Sequence, residues 1–122
     1  MSVLAGKRIL VVEDEALIAI MVADMLAELG ATVIGPAPTI AKGVALAEAE
    51  TIDAALLDVN VRDERIDPVA EALRKRGIPM VFATGYGARA LVDGSAAATI
   101  DKPYTQQTLA KALAEILTAM PA

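Results

Sequence analysis

The feature that most constrains the fold is an alternation of short apolar runs with longer segments in which apolar residues recur at helical spacing. The runs occupy positions 9–12, 32–34, 54–57, 80–83 and 96–100. Apolar runs of this length are typical of strands, and their lack of polar residues at alternate positions indicates that both faces of the sheet are covered. The alternation predicts an α/β fold, a doubly wound parallel sheet of five strands with helices on both faces.

The segments between the runs are predicted to be helices with recognisable ends. In the first helix Met21 and Met25 belong to an apolar stripe that continues to position 29, which we expect to face the core. Gly30 follows as a stop signal, because glycine adopts the left-handed conformation that ends helices. Thr39 and Thr105 precede the second and the last helix, where a hydroxyl can accept a hydrogen bond from a free backbone amide.

Two connections differ from the rest of the chain. The segment 62–67 is densely charged, and we interpret it as a solvated connection rather than a site. It leads to a helix that is predicted to stop near Gly77. The segment 88–93 is predicted to be a short, weak fourth helix between two glycines.

Composition removes several classes of function. The chain contains no Cys, His or Trp, so it cannot form a disulfide, a thiolate zinc site, a Ser-His-Asp triad or a phosphohistidine of its own. Its net charge of −5 has the wrong sign for binding a phosphate backbone, so we expect no DNA partner. Any chemistry must come from carboxylates, hydroxyls, lysine or a bound metal.

Length and hydropathy set the expected context. The 122 residues correspond to one domain, 1–122. No apolar stretch is as long as a membrane span, and no signal peptide is evident at the N-terminus. We therefore expect a soluble cytoplasmic protein that does not associate with a membrane.

Unusual polar residues follow four of the five predicted strands, and all of them fall at the same edge of a parallel sheet. They are Glu13, Asp14, Asp58, Thr84 and Lys102. Each alone has an ordinary explanation as a helix-start acid, a turn residue or a surface charge, but the set together predicts a site. Three nearby carboxylates repel one another unless a cation joins them, and oxygen ligands suit Mg²⁺. A carboxylate among a metal, an ammonium and a hydroxyl is the arrangement of a phosphoryl acceptor.

At these positions the sequence resembles the receiver domain of response regulators in two-component signalling. Four motifs carry the resemblance, in the family order: VVEDE at 11–15, LLDVN at 56–60, FATGY at 82–86 and DKPY at 101–104. It covers about residues 7–119. The resemblance implies the flavodoxin-like receiver fold with strand order 2-1-3-4-5. The Phe-Ala-Thr-Gly motif is similar to that of a subset of receivers, often free-standing.

The resemblance implies a role for each site residue. Asp58 corresponds to the phosphorylated aspartate, and it would hold Mg²⁺ together with Glu13, Asp14 and the backbone carbonyl of Asn60. Mn²⁺ or Ca²⁺ can substitute for Mg²⁺ in crystals of such proteins.

Two further residues would act on the phosphoryl group. Thr84 would form a hydrogen bond to the phosphoryl group, and Lys102 would pair first with Asp58 and then with its phosphate. The resemblance also implies a cis peptide between Lys102 and Pro103.

The chain departs from the family pattern at the switch. Receivers usually carry Tyr or Phe three residues before the lysine, whereas this chain has Thr99. The usual coupling of a threonine to an aromatic side chain is therefore in doubt, and Tyr86 or Tyr104 could supply a substitute. The acidic pair is also Glu-Asp where Asp-Asp is frequent, so Glu13 could reach a metal differently.

These features predict a phosphorylation switch. A histidine kinase or phosphotransfer protein would donate the phosphoryl group, because this chain has no histidine. The output would be altered contact with an unknown downstream protein, or service as a phosphate shuttle or sink. The chain would catalyse only its own phosphorylation and dephosphorylation, so it is not expected to be an enzyme otherwise, and it would be a monomer or weak homodimer.

Two alternatives remain open from the sequence. One is a non-phosphorylated pseudo-receiver that serves only as an interaction module, which is consistent with Thr99. The other is a different Mg²⁺-dependent phosphotransfer enzyme. Two motif mismatches argue against such an enzyme. Haloacid dehalogenase phosphatases require Asp-x-Asp after the first strand, whereas 13–15 read Glu-Asp-Glu. Topoisomerase–primase domains require Asp-x-Asp later in the chain, whereas 58–60 read Asp-Val-Asn.

Overall fold

The computed structural model describes residues 4–84, 98–102 and 104–118, apart from the side chain of Asn60. Five strands form one sheet: β1 (Arg8–Val12), β2 (Thr32–Ala37), β3 (Ala54–Asp58), β6 (Met80–Thr84) and β7 (Ala98–Asp101). Two short strands form a separate hairpin, β4 (Asn60–Val61) and β5 (Glu64–Arg65). The helices are α1 (Ala16–Glu28), α2 (Ile40–Ala49), α3 (Asp67–Lys75) and α4 (Gln106–Thr118).

The five-stranded sheet is parallel throughout, in the order β2-β1-β3-β6-β7. Counting only the strands of this sheet, the order is 2-1-3-4-5, as the resemblance implies. After β2 the chain crosses back past β1 and adds β3 on the other side, so the order of the strands reverses between β1 and β3. Parallel sheets of this kind bind ligands at the carboxyl ends of the two strands that flank this reversal. The topology therefore confirms the predicted fold class.

Helices cover both faces of the sheet, because successive side chains of each strand enter opposite cores. Leu10 and Val12 of β1 lie in a core that contains residues of α2 and α3. Ile9 and Val11 lie in a second core that contains residues of α1 and α4. All four side chains are at most 1% exposed. Burial on both faces explains why these strands are apolar at every position.

The predicted helix ends are present. The Thr39 hydroxyl accepts a hydrogen bond from the backbone amide of Lys42 at 3.1 Å, and the Thr105 hydroxyl accepts one from the amide of Thr108 at 3.1 Å. Gly30, two residues beyond α1, has a left-handed φ of 87°. Gly77, two residues beyond α3, has a φ of 70°.

The prediction for the buried face of α1 is wrong in part. Met21 is 47% exposed, and Leu17 and Ile20 are 71% and 59% exposed. The residues of α1 that are fully buried are Ala19, Val22 and Leu26. The helix is apolar on nearly every side, so its sequence gives no amphipathic contrast from which to choose the buried stripe.

Two other segments differ from their predictions. The second strand does not end at Ile34 but continues to Ala37, through a cis peptide between Gly35 and Pro36. The charged segment 62–67 is not a plain connection, because its first part is the turn and second strand of the β4–β5 hairpin. The predicted helix at 88–93 and the Lys102–Pro103 peptide lie outside the described residues.

No helix in the described part of the chain is long and apolar enough to cross a membrane.

Candidate functional site

The polar residues at the strand ends meet at one edge of the sheet, as the alternation predicted. Asp58 and Thr84 are the last residues of β3 and β6, Glu13 and Asp14 follow β1, and Lys102 follows β7. Backbone bonds continue the strand pairing beyond this edge, from the Glu13 amide to the Ala37 carbonyl at 2.9 Å and from the Lys102 amide to the Thr84 carbonyl at 2.9 Å. The regular sheet therefore fixes the backbone position of each of these side chains.

Lys102 joins two carboxylates. Its Nζ lies 2.9 Å from Oδ2 of Asp58 and 3.1 Å from Oε1 of Glu13. The side chains are 18%, 12% and 3% exposed for Lys102, Asp58 and Glu13. Charge-assisted hydrogen bonds with this little solvent access are stronger than surface ion pairs.

The pocket shifts the proton affinity of both Glu13 and Lys102. Burial raises the pKa of the Glu13 carboxyl and the charge of Asp58 raises it further, against the backbone amide of Glu15 and the Lys102 ammonium, which both lower it. For Lys102, burial alone would lower the pKa, but its hydrogen bonds to Asp58 and Glu13 outweigh burial and raise it. The lysine therefore stays charged, as a partner of carboxylates must.

Asp14 completes the acidic group from the other side. Its half-buried carboxylate accepts a hydrogen bond through Oδ2 from the backbone amide of Arg62 at 2.9 Å. One ligand oxygen from each of Glu13, Asp14 and Asp58 lies within 4.8 Å of the others. Three carboxylates against one ammonium leave two negative charges, and this all-oxygen donor set fits a divalent cation of the Mg²⁺ type.

Thr84 and Thr99 lie on the neighbouring strands β6 and β7. Thr84 is 5% exposed. Thr99 lies in β7 opposite Phe82 of β6 and is half-buried. The position at which the resemblance implies an aromatic ring is thus occupied by a small side chain within the sheet.

Tyr104 is the one candidate substitute aromatic that the described residues include, since Tyr86 lies outside them. Its side chain packs against the core under α1 and α4. Burial raises the pKa of its phenol, and the negative charges of Glu13 and Asp58 raise it further. The charge of the acidic group therefore opposes ionisation of this phenol.

Sequence reasoning missed two contacts at the site. It paired Lys102 with Asp58 but not with Glu13, and it assigned no role to Arg62. The first contact depends on how far β7 extends relative to β1, which no local pattern reveals. The second depends on a tight turn whose residues, Arg62 and Asp63, include no glycine, so the usual hairpin signal is absent.

A groove beside the acidic group was also not predicted. It opens at Glu13 and Asp14 and runs between α1 and the end of β2. Its apolar lining comprises Ala16, Ala19, Ile20, Ala23, Pro36 and Pro38. The exposed residues of α1 are therefore continuous with the site.

Comparison with known proteins identifies related chains. SdrG from Sphingomonas melonis Fr1, known from a solution structure, is 46% identical, with a TM-score of 0.80 over 97% of this chain and 100% of that chain. The solution structure of the BeF3-activated conformation of SdrG, given as from Pseudomonas melonis Fr1, is 45% identical, with a TM-score of 0.77 over 93% and 98% of the two chains. The transcriptional regulatory protein PdtaR of Mycobacterium tuberculosis is 37% identical over 112 residues, or 88% of this chain. The chain spans about half of PdtaR, 55% of its length.

The family model of the response regulator receiver domain matches residues 9–114. That range runs from Ile9 in β1 to residue 114 in α4, and it includes every residue of the acidic group and Lys102. The chain therefore belongs to the response regulator receiver domain family, the signalling modules of two-component systems.

Proposed function

We propose that this chain is a phosphorylation switch that accepts a phosphoryl group on Asp58 in a Mg²⁺-dependent reaction. The observation that carries the proposal is the contact of the Lys102 ammonium with Asp58, 2.9 Å apart, beside the carboxylates of Glu13 and Asp14. An isolated acidic group would only bind a cation. An acidic group with one carboxylate held by a lysine can also receive a phosphoryl group. The α/β unit around this pocket supports a single receiver domain, 1–122.

In the proposed step, a carboxylate oxygen of Asp58 attacks the phosphorus of a phosphohistidine on a histidine kinase or phosphotransfer protein. A P–O bond forms, the P–N bond breaks, and the electron pair of that bond stays on the departing imidazole nitrogen, which takes up a proton. Glu13, Asp14, Asp58 and the Asn60 carbonyl would hold Mg²⁺, which would supply positive charge for the phosphoryl oxygens.

The residues of the chain then hold the product. Lys102 is already placed between two carboxylates, so it can follow the new negative charge on Asp58 without entering from solvent. Thr84 ends the neighbouring strand and can donate its hydroxyl to a phosphoryl oxygen. Burial of these groups strengthens each contact relative to water.

The donor must approach from the open side of the pocket. The exposed apolar residues Leu17, Ile20 and Met21 of α1 lie beside the groove that opens at Glu13 and Asp14. Exposed apolar patches next to a reactive group are typical of protein contact surfaces. We propose that the phosphoryl donor packs on this face of α1, and that the acidic rim favours a donor with basic residues.

The output would be a change of protein contacts or the relay of the phosphoryl group to a second protein. With Thr99, the usual aromatic switch lacks its ring. Tyr104 is the candidate replacement among the described residues, and burial, followed by the charges of Glu13 and Asp58, raises the pKa of its phenol. The BeF3-activated conformation of SdrG shows that a protein 45% identical to this chain has an activated state.

Intact-mass spectrometry after incubation with acetyl phosphate tests the proposal. We expect a mass gain of one phosphoryl group with Mg²⁺ and none with EDTA. The gain should disappear in Asp58→Asn and persist in Asp24→Asn, a matched change at an exposed aspartate of α1. A wild-type chain that gains no mass with acetyl phosphate or with a phosphorylated kinase would contradict the proposal and favour the non-phosphorylated interaction module.

A further inference from the structure

The β4–β5 hairpin is held in an unusual backbone conformation directly beside the acidic group. Its strands pair Asn60 with Arg65 and Val61 with Glu64, which leaves a two-residue turn of Arg62 and Asp63. Both turn residues have left-handed φ angles, 52° and 65°. They are the only non-glycine residues with positive φ in the described ranges 4–84, 98–102 and 104–118.

Turns of this type favour Asn-Gly, and an arginine at the first position is disfavoured by contact between its Cβ and the backbone. A residue held in a disfavoured conformation requires surroundings that enforce it. The hairpin is anchored on both sides, because Val61 and Ile66 are 0% exposed and the Ile66 amide donates to the Val59 carbonyl at 2.9 Å. The anchored strands leave the turn little freedom to relax.

The enforced turn has one polar consequence at the site. It aims the backbone amide of Arg62 at Oδ2 of Asp14, 2.9 Å away. The carboxylate of Asp14 is half-buried, and it follows β1 rather than lying within it, so the sheet does not fix its rotamer. A hydrogen bond from a backbone amide to a carboxylate is charge-assisted and directional, and it can fix that rotamer.

We propose that the hairpin positions Asp14 for cation binding through the backbone amide of Arg62, which makes Arg62 a positioning residue of the site. This inference rests on the proposed function, since it concerns the same Mg²⁺ pocket. The hairpin begins at Asn60, two residues after Asp58, so one short hairpin connects the proposed phosphoryl acceptor to Asp14. Outer contacts of this kind hold a ligand ready before the cation arrives.

Substitutions at position 62 test the turn with its amide against the side chain. Arg62→Pro removes the N–H and, because proline holds φ near about −65°, also prevents the left-handed turn. Arg62→Gly keeps the N–H, removes the guanidinium and accepts a positive φ without strain. The Mg²⁺ dissociation constant is measured for each variant by NMR titration of the amides around the site, with no phosphoryl donor present. We expect Arg62→Pro to bind Mg²⁺ at least about tenfold more weakly, the usual loss when an outer contact of a metal ligand is removed. We expect Arg62→Gly to bind like wild type.

Equal Mg²⁺ affinity in wild type and Arg62→Pro would overturn the inference, as would an equal loss in Arg62→Gly. Because Arg62→Pro changes the turn as well as the donor, hydrogen exchange of the Arg62 amide is also compared between wild type and Asp14→Ala. Slower exchange in wild type supports the bond, and equal exchange overturns it. A wild-type chain that binds Mg²⁺ but accepts no phosphoryl group would contradict the proposed function and leave this inference intact, whereas one that binds no Mg²⁺ would overturn both.

Discussion

Removal of the Lys102 ammonium is the perturbation for which the structure gives the clearest magnitude. Lys102→Met keeps the length and most of the volume of the side chain but removes its charge. Glu13 and Asp58 then lose the cation that lies 3.1 Å and 2.9 Å from their oxygens. Three carboxylates remain with no cation among them, and Glu13 is only 4% exposed.

The expected cost follows from the burial of the pair. Removing one partner of a fully buried ion pair costs about 3–5 kcal/mol, because the other charge stays buried and uncompensated. Lys102 and Asp58 keep 18% and 12% of their side-chain exposure, so solvent screens part of the interaction. We therefore expect Lys102→Met to lower the free energy of unfolding by about 2–4 kcal/mol at pH 7 without Mg²⁺.

The cost should depend on pH in a defined direction. The raised pKa of Lys102 means that its stabilising contribution is complete below the unfolded value of 10.5 and is lost only as the pH rises through the still higher folded value. Between pH 4.5 and pH 7 the expected change therefore comes from Glu13. The pKa of Glu13 is raised above 4.5 by burial, and removing the lysine raises it further, so the native state of the variant takes up a proton as the pH falls. The cost should be smaller at pH 4.5 than at pH 7.

Urea unfolding at the two pH values, with and without Mg²⁺, measures these differences. Lys111→Met, a matched change at an exposed lysine of α4, should alter stability by no more than about 0.5 kcal/mol. Added Mg²⁺ should recover much of the loss in Lys102→Met, because a divalent cation neutralises the same carboxylates. A cost below about 0.5 kcal/mol at pH 7, or an equal cost at both pH values, would refute the reasoning.

Three further experiments test other parts of the structure. Leu17→Ser and Ile20→Ser on the exposed face of α1 should slow phosphoryl transfer from a phosphorylated kinase but not from acetyl phosphate. Ala27→Ser on the same helix is the control. Equal slowing of transfer from both donors would contradict a docking role. Thr39→Ala removes the cap of α2 and should cost about 1 kcal/mol in urea unfolding, and no change would show that the cap bond is not stabilising. Gly43→Ala would bring a Cβ to 3.0 Å and 3.1 Å from valine methyl groups of α3 and β1. Thermal unfolding should show a net loss of stability of about 1–2 kcal/mol, despite the better helix propensity of alanine. A gain of stability would show that α2 can shift.

The sheet could be predicted from the sequence because its strands are buried on both faces. Burial demands apolar residues at every position, so each run marks its own strand. The helix caps at Thr39 and Thr105 were predictable for a related reason, since a free amide at a helix start selects a hydroxyl at one defined position. Such features can be predicted because a single local requirement restricts which residue types occur at one position.

The orientation of α1 could not be predicted in the same way. Leu17, Ile20 and Met21 are as apolar as the residues that the helix buries, so the pattern does not distinguish the two faces. Apolar residues kept on the exposed face beside the pocket are consistent with a contact surface there. The apolar pattern of α1 therefore gives the wrong burial for the same residues that the proposed function requires to be exposed.

The site was predicted as a set of residues but not as a set of contacts. Which strand ends carry Asp58 and Lys102 follows from the runs. That Lys102 reaches Glu13 as well as Asp58, and that Arg62 reaches Asp14, depends on the lengths of connections and on one turn conformation. These are properties of the three-dimensional arrangement, and no periodicity along the chain encodes them.

The most direct test of the central claim is to locate the phosphoryl group on the chain. An acyl phosphate is reduced by borohydride, which converts a phosphorylated aspartate to homoserine, and peptide mass spectrometry then identifies the modified position. After treatment with acetyl phosphate and Mg²⁺ we expect homoserine at position 58, and none in a parallel sample with EDTA. Homoserine at position 14 instead, or no modified aspartate in any peptide, would contradict the account of Asp58 as the phosphoryl acceptor.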